Sequence, residues 1–316
     1  MTIGTGSHPL RVAVIGSGPA GFYAVEHLFK QTNFVVDVDM FDRLPTPYGL
    51  VRYGVAPDHL KIKTVTRAYD AIAANPRFRF FGNVEFGQHV TLADLEQHYH
   101  QVLFATGAQT DKRMGIPGED LPGSHPATEF VAWYNGHPDY RECRFDLSVE
   151  RAAVIGVGNV AIDVARILAR TPEELAKTDI ADYALDALRR SRIKEVFLLG
   201  RRGPAQAAFT NPELKEIGEM ADADVSARPE EVELDPLSLA QFEASDDRML
   251  TKKVEILQGY ALRQPAGRPR RLHVRFLVSP VEIRGDADGR VVGMRLVRNT
   301  LVASEHGGIA ARPTDE

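Results

Sequence analysis

A glycine-rich turn that occurs twice constrains this chain more than any other feature. Residues 16–21 (GSGPAG) lie between a strand predicted over residues 11–16 and a helix predicted over residues 20–30. Residues 156–161 (GVGNVA) take the same place in a strand-turn-helix over residues 152–170. In this setting the first glycine permits a tight turn, the second lets a pyrophosphate approach the helix N-terminus, and a small third residue lets the helix pack on the strand. The sequence therefore predicts an α/β fold with two Rossmann-like dinucleotide-binding domains on parallel sheets.

The two turns differ in the charge that follows the next strand. Asp42 directly follows the strand predicted over residues 35–41. At this position a carboxylate can accept hydrogen bonds from ribose hydroxyls and would repel a 2'-phosphate. The first turn therefore favours FAD or NAD(H). The strand over residues 195–200 ends instead in Arg201 and Arg202, and paired guanidiniums suit the 2'-phosphate of NADPH. Two alternatives stay open at this point: a glycine-rich turn without a ligand, and an arginine pair that is only a solvated surface charge.

The composition of the chain excludes several classes of function. The chain has 38 Lys and Arg against 43 Asp and Glu, a net charge of -5, so it carries no overall basic field that would recruit nucleic acid. Cys143 is the only cysteine, which excludes an internal disulfide, a Cys-x-x-Cys redox pair and a cysteine-rich metal or iron-sulfur site. No apolar run reaches the roughly 18 residues of a spanning helix, and we expect a cytoplasmic protein without a metal site. If the chain moves electrons, a bound organic cofactor must carry them.

The first half of the chain is predicted to form one domain, with a boundary near residue 108. Residues 44–59 contain three prolines and two glycines and are expected to form a loop. A helix is predicted over residues 60–74 and a hairpin-like pair of strands over residues 78–86. Thr91 and Asp94 are expected to form a capping box. The interpretation is an FAD-binding domain over residues 1–108.

The second half, residues 109–316, is predicted to form an NADP-binding domain. Residues 171–192 are helical and charged, and they lengthen the crossover that follows the second turn. From Val254 onward the pattern favours alternating strands, including residues 272–278 (LHVRFLV), with a turn at residues 286–289 (DADG). This section is expected to be antiparallel.

Seven stretches together resemble ferredoxin-NADP reductase of the adrenodoxin reductase type, and the stretches at 44–59 and 200–216 are far more specific than a glycine turn. The stretches are VIGSGPAGFY (14–23), LPTPYGLVRYGVAPDH (44–59), FFGNVEFG (80–87), IPGEDLPG (116–123), FVAWYNGHP (130–138), VIGVGNVAIDVARIL (154–168) and GRRGPAQAAFTNPELKE (200–216). The resemblance implies a glutathione-reductase-like architecture. It also implies a flavoprotein that passes hydride from NADPH to FAD and then single electrons to an acidic ferredoxin-type or adrenodoxin-type iron-sulfur protein.

The resemblance assigns residues to each cofactor at matching positions. For FAD they are Gly16, Gly18, Ala20 and Gly21 at the pyrophosphate, Asp42 at the adenosine ribose, Leu50 on the flavin side and Phe86 at the adenine through its backbone. For NADPH they are Gly156, Gly158, Asn159 and Val160 at the pyrophosphate, Arg201 and Arg202 at the 2'-phosphate, and Glu213 on the same nucleotide. His59 and Glu216 match a pair near the flavin that positions the nicotinamide or assists proton movement.

Two of these residues also have simpler interpretations. Asn211, Pro212 and Glu213 match the cap, first-turn proline and first-turn acid of a helix, so Glu213 could serve only that helix. His59 follows Pro57 and Asp58 and could be a helix-entry residue.

The chain departs from the family at its end. The family returns to the FAD domain with a Gly-Trp-x-x-x-Gly-Pro-x-Gly stretch, whereas the only tryptophan here is Trp133, in a different motif. We therefore expect a fragment, or a truncated chain with a weak FAD pocket, and a truncated NADP(H)-binding module without turnover is the alternative function. Thioredoxin and glutathione reductases need a second cysteine, the glutamate synthase small subunit needs cysteine clusters, and residues 44–59 disfavour a flavin monooxygenase. Candidate docking charges for the iron-sulfur partner are Arg189, Arg190, Arg192 and Lys194, with Arg268, Arg270 and Arg271 as a second cluster. A solvated face is the alternative for both.

Overall fold

The computed structural model describes residues 2–108, 110–304 and 307–316. The chain divides into two compact units. The first unit comprises Met1–Thr110 together with Asn135–His137, and the second comprises Asp111–Tyr134 and Pro138–Glu316. The assignment of residues 1–108 to FAD binding and of residues 109–316 to NADP binding stays a prediction.

The first unit is built on a four-stranded parallel sheet in the order β3-β2-β1-β4. Its elements are β1 (Leu10–Ile15), α1 (Pro19–Phe29), β2 (Val36–Phe41), α2 (Leu50–Tyr53), α3 (Leu60–Lys63), α4 (Thr66–Ala73), β3 (Phe78–Phe81), α5 (Leu92–His98) and β4 (Gln101–Phe104). The two central strands, β2 and β1, are largely buried, as parallel strands between helices usually are, and the buried Asp39 of β2 pairs with Arg79. Phe22 and Val25 of α1 pack into the same core as Val12 and Val38 of these strands.

Three predictions for this unit meet different outcomes. The capping box of Thr91 and Asp94 at the start of α5 is confirmed. The hairpin predicted over residues 78–86 is wrong, because β3 pairs in parallel with β2 and the chain then turns at Asn83, which has a positive φ of 57°. The helix predicted over residues 60–74 is interrupted between α3 and α4, where the Thr64 hydroxyl donates to the carbonyl oxygen of Lys61 at 2.7 Å and competes with the helical backbone.

The second unit combines a parallel sheet with an antiparallel one. Its elements are α6 (Ala127–Tyr134), β5 (Arg151–Ile155), α7 (Asn159–Ala169), α8 (Pro172–Leu175), α9 (Asp182–Arg189), β6 (Glu195–Leu199), α10 (Asn211–Gly218), β7 (Ala223–Ala227), α11 (Pro229–Val232), α12 (Pro236–Glu243), α13 (Arg248–Leu262), β8 (Arg270–Arg275), β9 (Val278–Gly285), β10 (Val291–Ala303) and β11 (Ile309–Pro313). Strands β5-β6-β8-β7 are parallel, and β11-β10-β9 form the antiparallel sheet. The helices α8 and α9 fill the lengthened crossover, as predicted.

The antiparallel section is confirmed, but it begins later than the sequence predicts. Residues 248–262 form the helix α13 instead of strands. The strand β8, which carries much of the LHVRFLV stretch, lies in the parallel sheet between β6 and β7. Alternating apolar residues fit either kind of sheet, so periodicity does not identify the pairing partner. The turn at residues 286–289 is confirmed, with Gly289 at a φ of +77°. The predicted fold class is confirmed.

Candidate nucleotide-binding sites

The first glycine turn joins β1 to α1 in a space that admits no side chain at two positions. Gly16 has a φ of +103°, and a Cβ placed on it would lie 2.4 Å from the carbonyl oxygen of Ala105. A Cβ on Gly21 would lie 2.4 Å from the carbonyl oxygen of Gly16. Gly18 caps α1, and the nearest atom to a Cβ placed there would be the Gly49 Cα at 4.0 Å. The turn is therefore tight on the protein side and open where a pyrophosphate would approach the helix N-terminus.

The carboxylate of Asp42 is hydrogen-bonded to the turn itself. Its Oδ2 atom accepts hydrogen bonds from the Ser17 backbone N–H at 2.9 Å and from the Ser17 hydroxyl at 2.5 Å. Its Oδ1 atom accepts the backbone N–H of Leu44 at 2.9 Å. A carboxylate has about four lone-pair directions, so these contacts leave room for about one further donor. Asp42 thus holds the turn in shape, and its contact with a ribose stays a prediction.

The proline-rich loop before α2 packs against the same turn. The Tyr48 backbone N–H donates to the carbonyl oxygen of Ser17 at 2.9 Å, and a Cβ on Gly49 would lie 2.8 Å from the Cα of Gly18. Tyr48 has a φ of +93°, which is strained for a residue with a side chain. Burial, together with a hydrogen bond to Asp70, raises the pKa of Tyr48 to about 12. Leu50 is 67% exposed at the start of α2, beside this loop.

The second glycine turn joins β5 to α7 with more space around it. Gly156 has a φ of +124°, and the nearest atom to a Cβ placed there would be the Ala161 Cβ at 3.8 Å. No atom lies within 4 Å of such a Cβ on Gly158, among the residues that the structure describes. Val160 is 53% exposed on the first turn of α7, and Asn159 accepts the Thr210 N–H at 2.9 Å through Oδ1. The turn has the open helix N-terminus that a pyrophosphate needs.

Arg201 and Arg202 leave the sheet beside this turn. They follow β6, and the Gly156 N–H donates to the carbonyl oxygen of Leu199 at 2.8 Å, so the turn and the arginine pair begin at the same edge of the sheet. Arg201 is exposed and Arg202 is half-buried. Neither residue takes part in any of the ion pairs found among residues 2–108, 110–304 and 307–316. Within that part of the chain, both guanidiniums therefore remain free of carboxylates.

A fully buried guanidinium links the helix of the second turn to α10. Arg166 of α7 has no solvent exposure, and its Nη2 atom lies 2.7 Å from Asp163. Its Nη1 atom lies 3.0 Å from an oxygen of Glu213 and 3.6 Å from an oxygen of Glu216. Sequence reasoning missed Arg166, which looks like one more charge on a helix. Its position between apolar residues of α7 was the available signal.

The start of α10 differs from the predicted one by one residue. The cap is Thr210, and Asn211 is the first helical residue, with its Nδ2 atom donating to the carbonyl oxygen of Met249 at 2.9 Å. The prediction that Asn211 caps the helix is therefore wrong, because its amide is used in a tertiary contact. Glu213 does lie in the first turn, where its carboxylate contacts Arg166.

The remaining predicted site residues lie at defined places in the first unit. His59 is buried immediately before α3, which agrees with its helix-entry interpretation. Phe86 forms an isolated β-bridge with Val90, and its ring packs edge-on against that of Phe104, with the ring centroids 5.0 Å apart. The pairing of His59 with Glu216 and the nucleotide contact of Phe86 stay predictions.

Several basic side chains that were considered for docking already have partners. Arg189 pairs with Asp186 at 2.7 Å and Lys194 pairs with Glu150 at 2.6 Å. In the second cluster, Arg268 donates to the carbonyl oxygen of Ala223 at 3.0 Å. Arg270 donates to the carbonyl oxygen of Arg170, and burial lowers its pKa. Two side chains of the second cluster thus already form hydrogen bonds with backbone carbonyl groups of the second unit.

Among the described residues, no helix is both long enough and apolar enough to cross a membrane.

Comparison with known proteins places the chain in a family. The sequence pattern described as "Pyridine nucleotide-disulphide oxidoreductase" matches residues 10–202. The chain is 48% identical over 312 residues to NADPH-ferredoxin reductase FprA of Mycobacterium tuberculosis, covering 98% of this chain and 67% of that protein. It is 42% identical over 315 residues to the mitochondrial NADPH:adrenodoxin oxidoreductase of Arabidopsis thaliana, covering 98% and 65%. The structure of "Mycobacterium tuberculosis FprA in complex with NADPH" has a TM-score of 0.92 and 47% identity, covering 98% of this chain and 68% of that one.

The chain therefore belongs to the pyridine nucleotide-disulphide oxidoreductase family. Within that family its relatives are NADPH-ferredoxin and adrenodoxin reductases, so the resemblance to the adrenodoxin reductase type is confirmed. The chain spans about two thirds of the length of these relatives.

Proposed function

We propose that this chain acts in a flavoprotein oxidoreductase that takes hydride from NADPH and delivers electrons to a ferredoxin-type iron-sulfur protein. The observation that carries the proposal is the contrast between two glycine turns of the same design. A carboxylate, Asp42, stands at the first turn, and two guanidiniums without ion-pair partners in the described part of the chain, Arg201 and Arg202, stand at the second. One site favours a nucleotide without a 2'-phosphate, and the other favours a nucleotide that carries one.

The residues of the first turn fit FAD. Gly18 offers open backbone at the N-terminus of α1, where the N–H groups can bind a pyrophosphate. Asp42 retains about one acceptor direction for a ribose hydroxyl, and Leu50 presents an exposed apolar side chain on the flavin side. When bound, FAD supplies an acceptor for hydride that can then pass on single electrons. Gly16, Ala20, Gly21 and Phe86 complete the proposed contacts.

The residues of the second turn fit NADPH. Gly156, Gly158, Asn159 and Val160 surround the open N-terminus of α7 and would bind the pyrophosphate. Arg201 and Arg202 would bind the 2'-phosphate through charge-assisted hydrogen bonds. In this proposal Glu213 acts on the nucleotide while Arg166 holds its carboxylate, and Glu216 and His59 position the nicotinamide or assist proton movement.

The partner in this proposal is an acidic iron-sulfur protein of the ferredoxin type. The supporting observation is that relatives 48% and 42% identical are named as ferredoxin and adrenodoxin reductases. The proposal that the partner is acidic is supported by the basic side chains of the first candidate cluster. Of these, Arg190 and Arg192 lie outside the two ion pairs described above. A cytoplasmic location is part of the proposal.

A spectroscopic experiment on the purified 316-residue chain tests the proposal. The chain is incubated with FAD, freed of unbound flavin and titrated anaerobically with NADPH. We expect a yellow protein whose visible flavin absorption is bleached by NADPH, because hydride then reaches a bound flavin. A colourless protein that binds NADPH would contradict the enzyme proposal and support the NADP(H)-binding module.

Removal of the arginine pair tests the cofactor preference directly. With ferricyanide as acceptor, Arg201→Ala combined with Arg202→Ala should raise the KM for NADPH by about 10- to 100-fold, the size expected for losing charge-assisted phosphate contacts. The KM for NADH should change less than about twofold, since NADH has no 2'-phosphate. The matched control is Arg189→Ala combined with Arg190→Ala, an adjacent arginine pair in the same unit. Equal effects of the first double variant on both nucleotides would refute the 2'-phosphate assignment.

A further inference from the structure

The antiparallel sheet of the second unit holds the backbone of the arginine pair through one buried amide. Asn299 lies in β10 and is 5% exposed. Its Nδ2 atom donates to the carbonyl oxygen of Arg201 at 2.8 Å and to the hydroxyl oxygen of Ser279, in β9, at 2.8 Å. A carbonyl oxygen can only accept, so the contact with Arg201 fixes which end of the amide faces it.

The neighbouring backbone is held by the same sheet. The Leu277 N–H donates to the carbonyl oxygen of Arg202 at 3.2 Å, and the Asn299 N–H donates to the carbonyl oxygen of Leu277 at 2.8 Å. The Val278 N–H donates to the carbonyl oxygen of Gly200 at 3.1 Å. Three consecutive carbonyl groups, from residue 200 to residue 202, therefore accept hydrogen bonds from Val278, Asn299 and Leu277, the residue immediately before β9. The direction in which the two arginine side chains leave the backbone is set by these contacts.

The arginine side chains themselves are only loosely held. The Nη1 atom of Arg202 lies 3.5 Å from the carbonyl oxygen of Ile309, which is at the outer limit for a hydrogen bond. Neither guanidinium pairs with a carboxylate in the described part of the chain. A fixed backbone with available side chains is the arrangement that lowers the ordering cost when a phosphate binds.

Burying the amide of Asn299 is unfavourable for its oxygen atom, and the hydrogen bonds that its nitrogen atom donates explain why an amide is present. The Oδ1 atom of Asn299 is buried and has no hydrogen-bond partner among residues 2–108, 110–304 and 307–316. An unpartnered buried acceptor is unfavourable, and an apolar side chain at this position would avoid it. The two hydrogen bonds donated by Nδ2 are what an apolar side chain could not replace.

We propose that Asn299 is a positioning residue that sets the preference for 2'-phosphorylated nucleotides by fixing the carbonyl group of Arg201. Asn299 does not itself touch the nucleotide. The inference rests on the proposed function, in which Arg201 and Arg202 bind the 2'-phosphate. It adds that their selectivity depends on a residue of the antiparallel sheet 98 positions away from Arg201.

The test compares two ligands that differ only in the 2'-phosphate. The dissociation constants of 2',5'-ADP and 5'-AMP are measured by calorimetry for the chain and for Asn299→Ala. The ratio of the two constants is the readout, since a partial loss of folded protein weakens both ligands equally and leaves the ratio unchanged. We expect Asn299→Ala to lower the preference for 2',5'-ADP by about three- to tenfold, the effect of one hydrogen bond, with 5'-AMP affinity changed less than about twofold.

Two further variants separate the possible results. Ser279→Ala removes the other partner of Asn299 and leaves the Arg201 contact, so it should keep the wild-type ratio. Asn299→Ser replaces Asn299→Ala if the latter does not fold, because its short hydroxyl cannot reach the Arg201 carbonyl group. An unchanged ratio in a folded Asn299 variant overturns the inference, as does an equal fall in Ser279→Ala.

The double variant Arg201→Ala with Arg202→Ala, alone and combined with Asn299→Ala, distinguishes this inference from the proposed function. We expect the double variant to abolish the preference for 2',5'-ADP and Asn299→Ala to have no additional effect in that background. If the double variant keeps the preference, the 2'-phosphate assignment fails, and this inference with it. If the double variant loses the preference and Asn299→Ala keeps it, only this inference fails.

Discussion

The two glycine turns have nearly the same sequence pattern but differ in what surrounds them. At the first turn, the charged group is turned inward, since Asp42 accepts two hydrogen bonds from Ser17 of the turn. At the second turn, Arg201 and Arg202 pair with no carboxylate of the described residues and are held mainly through their backbone. The turn motif therefore supplies a place for a pyrophosphate, whereas ligand choice depends on the residues after the next strand and on the contacts that hold them.

The helices that follow the turns differ in the same way at matching positions. The eighth residue of α1 is Glu26, which is partly exposed at the surface and pairs with Lys30 at 2.6 Å. The eighth residue of α7 is Arg166, which is fully buried among three carboxylates. One helix therefore carries a surface charge where the other carries the centre of a buried network.

The largest expected effect is on stability, and it should distinguish the buried Arg166 of α7 from Glu26 at the matching position of α1. Arg166→Met should lower the free energy of unfolding by about 3–5 kcal/mol, because it removes the buried cation that the carboxylates of Asp163 and Glu213 contact. Glu26→Gln, at the matching position of α1, should cause no measurable change, since its ion pair is exposed to water. Urea unfolding followed by circular dichroism measures both. A loss in Arg166→Met no larger than in Glu26→Gln would contradict the buried network.

A smaller difference in stability is expected between alanine substitutions at the first glycines of the two turns, Gly16 and Gly156. Gly16→Ala should cost about 3 kcal/mol or more, because its Cβ would meet the carbonyl oxygen of Ala105 at 2.4 Å in addition to the strain of a positive φ. Gly156→Ala should cost about 1–2 kcal/mol, since only the φ of +124° is unfavourable there. The two variants are compared by the same unfolding measurement. Equal costs would show that the first turn relaxes and that its tight space does not matter.

The sequence predicted the parts of this structure that depend on local signals. The two turns, the strands beside them and the capping box of α5 are specified within a few residues, and periodicity is informative over that distance. The charges of Asp42, Arg201 and Arg202 could be interpreted because each directly follows a strand of a recognisable unit.

Contacts between distant residues could not be predicted in this way. The place of β8 between β6 and β7 depends on which strand it meets, and its alternating pattern is the same in either sheet. The contact of Ser17 with Asp42 spans 25 positions and that of Asn299 with Arg201 spans 98, so no spacing rule indicates them. Arg166 was missed for the same reason, because its partners Glu213 and Glu216 lie on another helix.

The smallest expected effect tests whether Asp42 acts on the ligand alone or also through the turn. Ser17→Ala removes the hydroxyl contact with Asp42 and leaves the carboxylate in place. If that contact helps to shape the turn, the variant should weaken FAD binding by about threefold to tenfold, the effect of one hydrogen bond to a charged group. The affinity for NADP+ should stay the same, because the contact belongs to the first turn alone. Flavin fluorescence titration measures the first affinity and calorimetry the second.

The chain provides a matched control for this variant in the other unit. Ser148 donates its hydroxyl to Asp146 at 2.6 Å and its backbone N–H to the same oxygen at 3.0 Å, which reproduces the double contact between Ser17 and Asp42 away from either turn. Ser148→Ala should therefore leave both affinities unchanged. If Ser17→Ala also leaves FAD binding unchanged, Asp42 acts on the ribose without help from the turn, and the inward-facing charge of the first site has no part in shaping it. If Ser17→Ala weakens FAD alone, the first site selects its ligand through a carboxylate that the turn itself holds, in contrast to the second site, where the antiparallel sheet holds the backbone of the arginines.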